Sequence, residues 1–129
     1  MKKYLLRLPA VLLTISIFLL SSMSLDKLPV EGILTFDKLI HIIEFAIYTF
    51  SVAIALNTYQ APIIKKHIII ISLLIGVFYG AIDELHQLYV GGRSASIYDW
   101  FADFIGSSIG VCIFNKLKNH KFFKYEQTD

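Results

Sequence analysis

The chain alternates four long apolar stretches with three short polar interruptions. A helix needs about 20 apolar residues to cross about 30 Å of hydrocarbon, and on that measure the stretches predict membrane-spanning helices at 5–23, 39–59, 68–90 and 97–114. The third stretch is the most informative. Its purely apolar part stops at Ile82, too short to span unless Asp83, Glu84, His86 and Gln87 lie in the same helix. The interruptions are 24–38, 57–67 with Pro62 as a breaker, and 91–96 with the Gly91-Gly92 pair. The expected architecture is all-α: one polytopic transmembrane domain, a four-helix bundle over 1–129, with a basic tail at 115–129.

Composition agrees with that class. Of 129 residues 56% are hydrophobic and the mean hydropathy is +0.64, far from a soluble domain of this size. The single cysteine, Cys112, excludes an intramolecular disulfide and is expected to be a buried, inert thiol. Lys and Arg set the orientation, because cytoplasmic loops retain positive charge. With the N-terminus inside, nine of them (Lys2, Lys3, Arg7, Lys65, Lys66, Lys116, Lys118, Lys121, Lys124) are cytoplasmic and three (Lys27, Lys38, Arg93) are outside. A membrane protein with both termini cytoplasmic is expected, with membrane lipid as partner and no nucleic acid. The first stretch has a basic start and the small residues Ser21, Ser22 and Ser24 after its apolar run, which also fits a secretory signal peptide. Its length favours a retained helix.

The charges inside these stretches carry the functional information. Asp37, Lys38, Glu44, Asp83, Glu84, Arg93, Asp99 and Asp103 lie in or beside membrane-spanning segments, where an ionisable group is costly and faces the bundle interior, a cavity or a partner. The topology places the start of the second helix, the end of the third and the start of the fourth at one face. At about 1.5 Å per residue, Glu44, Asp83 and Asp103 then lie roughly 9–10 Å below that face. Helical spacing gathers Asp37, His41, Glu44 and Tyr48 into one stripe, Tyr79, Asp83, His86 or Gln87, and Val90 into a second, and Asp99, Asp103, Gly106 and Gly110 into a third. Ala102, Gly106 and Gly110 form a small-residue track that admits a neighbouring helix, so the carboxylates face inward if the glycines do. Six carboxylates meet two fixed cations. The surplus of four requires protonated carboxyls, imidazolium forms of His41 and His86, a metal, or water.

Some members also have plain structural readings. Ser96 followed by Asp99 is a capping-box pattern, and Asp37 is placed to cap the second helix. Lys38 can snorkel to the interface, and Glu84, one residue round from Asp83, can face headgroups. Arg93 is either a surface charge or a phosphate contact. His67 and His120 are given no role, and Trp100 fits an interfacial belt.

At these residues the chain resembles the VanZ-like family of small bacterial membrane proteins. The pattern is Asp37-Lys38-x-x-His41, then Asp83-Glu84-Leu85-His86-Gln87, then Gly92-Arg93, then Asp99 with Gly106 and Gly110, and it covers roughly 37–110. Two positions depart from it: Gly91 stands where a proline often precedes the Gly-Arg turn, and the position of Asp103 often carries Asn. The resemblance implies a link to teicoplanin, a lipid-bearing glycopeptide that acts on wall precursors, because the founding member reduces susceptibility to it. It brings no established reaction.

Three readings follow. In the first, an outward polar pocket binds a lipid headgroup, a lipid-linked wall precursor or a lipoglycopeptide. Lys38 and Arg93 would meet phosphate, and His41, Asp83, Glu84, His86 and Gln87 would shape the pocket. In the second, His41, His86, Asp83 and Glu44 hold a divalent metal for hydrolysis or transfer at an outer-leaflet lipid, although no compact ligand motif is present. In the third the polar groups only pack helices, and neutralising Asp83 and Glu44 together matters through folding alone.

Overall fold

The computed structural model describes residues 2–24 and 36–120, and the four apolar stretches form α1 (Lys2–Ser21), α2 (Asp37–Asn57), α3 (Pro62–Gln87) and α4 (Ile97–Leu117). All four are long and apolar enough to cross a membrane. Lys27, Lys121 and Lys124, which entered the orientation argument, lie outside the described residues.

Local chemistry explains where the helices begin and end. Pro62 opens α3 at its first turn, where a missing N–H costs nothing. Ser96 caps α4, its Oγ accepting the Asp99 N–H at 3.4 Å. Backbone φ −115° and ψ 19° at His67 interrupt α3, so a short Pro62-initiated turn precedes the helix that resumes at Ile68, the expected start of the third span. That helix stops at Gln87, short of the expected 90, in turns that carry the Tyr89, Val90 and Arg93 N–H groups to His86, Gln87 and Val90 carbonyls. Gly92 then turns the chain at φ 74°, a conformation costly for any side chain. The start of α4 falls at the expected 97, and the other ends shift by two to three residues, as termini read from hydropathy do. Asp37 does not cap α2. The N-cap is Phe36, with no side-chain bond, and Asp37 is the first helical residue, where its charge suits the helix dipole.

Packing is inverted relative to a soluble bundle. Phe78, Ile82 and Leu85 of α3, Ile43 and Ile47 of α2 and Phe101 of α4 face outward, as lipid contact demands. Small and polar residues occupy much of the interior. The α2–α4 pairing is the most extensive, α3 packs on both, and α1 rests on α2 and lightly on α3, without meeting α4 among the described residues. Gly106 and Gly110 cause the α2–α4 approach: a Cβ on either would strike the backbone carbonyl of Ile42 or Ala46. A second track, Ser72, Gly76 and Gly80 on α3, is also buried and was not read from the sequence. Gly76 abuts Ser107 and Thr49, whose hydroxyls are 3.0 Å apart in a hydrogen bond between α2 and α4. Apolar clusters complete the core: Ile17, Phe45, Tyr48 and Val52 bind α1 to α2, and Ala53, Ile68 and Phe114 close the far end. Cys112 departs from expectation. It is exposed on the outer side of α4, because the buried stripe there runs through Val111 and Phe114.

Candidate functional site

The α2 start, the α3 end and the α4 start meet at one end of the bundle, with the end of α1 beside them. Their close approach is a consequence of the glycines. A Cβ on Gly80 would sit 2.7 Å from Asp103 Oδ2, so a bare backbone on α3 is what lets the Asp103 carboxylate enter the helix contact, where its exposure is 0%. His41 reaches it from α2, with Nδ1 at 2.8 Å from Oδ1. One turn nearer the helix starts, Lys38 and Asp99 make a second rung between the same helices at 2.7 Å. The rungs differ in setting: the His41–Asp103 side chains are 9% and 0% exposed, whereas Lys38 is 58% exposed.

Glu84 contributes from α3. Facing headgroups was expected of it, and this is corrected: it is buried, and Oε2 accepts the Ser96 N–H at 2.6 Å, tying the end of α3 to the capping residue of α4. The capping box is therefore incomplete. Ser96 caps, but the Asp99 carboxylate goes to Lys38. Gln87, not His86, shares the Asp83 stripe, its Nε2 donating to Asp83 Oδ2 at 2.9 Å. Glu44 is half-buried on α2, within electrostatic range of His41, Asp83 and Arg93.

Two residues leave the cluster. His86 turns toward α1, where Nε2 is 2.9 Å from Ser22 Oγ and the ring lies 4.7 Å from Phe18. Arg93 is neither a plain surface charge nor free for phosphate along its whole fork. Its Nη2 donates to the Leu20 carbonyl at 3.1 Å and its Nε to the Met23 carbonyl at 3.3 Å, pinning the open carbonyls at the end of α1. Trp100 likewise has a specific bond, from Nε1 to the Val77 carbonyl at 3.1 Å.

Among the described residues, two groups bring three ligand-type atoms within 4.8 Å of one another: Asp37, His41 and Asp99, and His41, Glu84 and Asp103. The expected set of His41, His86, Asp83 and Glu44 is not among them, because His86 lies against α1. Glu84 Oε1 and Asp103 Oδ2 are buried without a hydrogen-bond partner. A separate, apolar groove of about 390 Å³ runs along the middle of α3, lined by Tyr48, Ile71, Leu74, Ile75, Phe78, Tyr79 and Ile82.

Sequence reasoning missed Gly80 and Ser96 as parts of the site, and the α1 partners of His86 and Arg93. The spacing of Ser72, Gly76 and Gly80 at i, i+4 and i+8 was the available signal for the first; contacts between distant segments leave none for the others.

The family model described as VanZ/LLP1 matches residues 4–119, and the chain belongs to that family. The match embraces almost all of the four helices, and with their length and apolarity it makes the chain a multi-pass membrane protein. No curated protein and no solved structure matches the chain.

Proposed function

We propose that this VanZ/LLP1 protein is a bacterial plasma-membrane protein, both termini cytoplasmic, that binds an amphiphile of the outer leaflet. The ligand classes are an envelope lipid, a lipid-linked wall precursor or a lipoglycopeptide. The observation that carries this reading is a stack of charged groups at one end of the bundle, Lys38–Asp99 above His41–Asp103 with Glu84 beside them, in a helix bundle that also has an apolar groove along α3. A purely structural polar network would not need a 58% exposed ammonium at its rim. Lys38 offers that ammonium to a phosphate or carboxylate head. The groove spans residues 71–82 of α3, roughly 17 Å at a helical rise, and takes the acyl chain. Ile82 ends the groove five residues before the end of α3, on the side of the bundle where Lys38 stands, so a ligand with its head at Lys38 would lay its tail along α3.

Lipid extraction from detergent-purified protein, followed by mass spectrometry, tests the reading. Wild-type protein retains one acidic lipid class above its membrane abundance. Lys38→Ala and Phe78→Ser each reduce that retention about tenfold, the loss of one charge-assisted contact or of one large apolar side chain that a bound tail would cover. Retention that mirrors bulk membrane composition in all three proteins overturns it. Exchange of teicoplanin onto the same preparation, competing with the retained lipid, identifies the lipoglycopeptide class.

A further inference from the structure

Of three buried side-chain oxygens without a partner among the described residues, the two that belong to carboxylates need an occupant. Glu84 and Asp103 are 6% and 0% exposed, yet Glu84 Oε1 and Asp103 Oδ2 each lack a partner. Leaving a buried acceptor unmade costs on the order of 1–3 kcal/mol, more for a charged group. Both residues, with the His41 imidazole, present ligand atoms within 4.8 Å of one another. We infer that His41, Glu84 and Asp103 form a binding site for a divalent cation of the zinc or manganese type, held between α2, α3 and α4.

Charge and ligand type agree. Two carboxylates and one neutral imidazole carry two negative charges, which one divalent ion balances. Mixed nitrogen and oxygen ligands suit zinc and manganese, whereas magnesium and calcium prefer oxygen alone. The neighbouring triplet of Asp37, His41 and Asp99 is the weaker alternative, because Lys38 already neutralises Asp99 at 2.7 Å. Its part is access: it shares His41 and includes half-buried Asp37, so ligand groups continue from the bundle end down to the buried triplet. The remaining bonds of the three residues fix the site. His41 Nδ1 holds Asp103 by Oδ1 at 2.8 Å and the Ser96 N–H holds Glu84 by Oε2, which leaves Asp103 Oδ2 and Glu84 Oε1 open, and Gly80 leaves the space into which Asp103 Oδ2 projects.

Three protein ligands leave a coordination position for water or an anionic oxygen. That the position receives the lipid head rests on the reading above; the ion site itself does not.

The test uses the full chain without a polyhistidine tag, purified in detergent and equilibrated with zinc or manganese chloride in parallel, then desalted. Elemental analysis is expected to find about one equivalent of one metal in wild-type protein. In Glu84→Gln and Asp103→Asn, which keep shape and remove charge, the content falls about tenfold or more, while His86→Ala retains it. A chelator lowers the wild-type melting temperature by about 5 °C or more, and the bound metal restores it. Less than a tenth of an equivalent in wild-type protein with either metal, equal content in wild-type and both amide variants, or loss in His86→Ala overturns the site. If either amide variant fails to fold, the chelator and reloading melts of wild-type protein decide alone: no shift with chelator or with either metal refutes it. Metal is read on the protein and lipid on its extract, so either result can fail while the other stands.

Discussion

At one end of the bundle His41, Glu84 and Asp103 lie buried between three helices; at the other, the charges stay at the margin. There Arg7 donates through Nε to Thr58 Oγ1 at 2.8 Å and lies over the Tyr59 ring, 3.8 Å from its centroid. Lys65, exposed, donates to the Asn57 carbonyl at 2.7 Å. Long aliphatic stems let these cations reach headgroups and water while their side chains cover apolar surface. Asp and Glu have no such reach, so a carboxylate placed a turn or more inside a helix contact must find its counter-charge there. The difference separates an end whose cations stay at the surface from an end that buries its ionisable groups between helices.

The comparison can be broken most severely at the glycines. Gly106→Leu drives a side chain into the Ile42 carbonyl of α2 and separates the helices that carry both rungs; the expected outcome is loss of folded protein on detergent extraction, and wild-type yield with an unchanged melting temperature would contradict the close-approach account. Next comes the deep pair. Asp103→Ala leaves His41 without its buried partner and is expected to cost on the order of 3 kcal/mol, measured by reversible denaturation in micelles. The double variant with His41→Ala should cost less than the sum of the two single changes, since the pair acts as a unit. A full additive loss would separate the two residues. At the rim, Lys38→Ala is expected to change stability by less than about 1 kcal/mol and to do so only at low salt, because its ammonium is exposed. Smallest is Lys65→Ala at the basic end, within about 0.5 kcal/mol. If Lys65→Ala proved as damaging as Asp103→Ala, the contrast between the ends would fail.

Much of this arrangement was legible beforehand for definite reasons. Hydropathy marks spans because a bilayer demands about 20 apolar residues from each helix, and helical spacing put Asp99, Asp103, Gly106 and Gly110 on one face, all of which are buried. Less legible were rotations about single bonds and contacts between distant segments. Glu84 and Asp83 are adjacent, and only the position of Ser96, twelve residues on, turns Glu84 inward. His86 and Gln87 both satisfied the stripe. The end of α1, with Ser22 and Phe18, took His86 away and left Gln87 with Asp83.

By itself the order of residues determined the number of helices, their apolar outer surface and the collection of ionisable groups near one end, since these depend on length, periodicity and the cost of charge in hydrocarbon. Only the tertiary structure decided which of those groups meet. Partner choice depends on angles and separations between helices, and those are set where the α4 glycines meet α2 carbonyls and the α3 glycines meet the Thr49, Asp103 and Ser107 side chains. A change of a few ångströms in that contact would exchange the buried His41–Glu84–Asp103 triplet for another set while leaving the hydropathy pattern untouched.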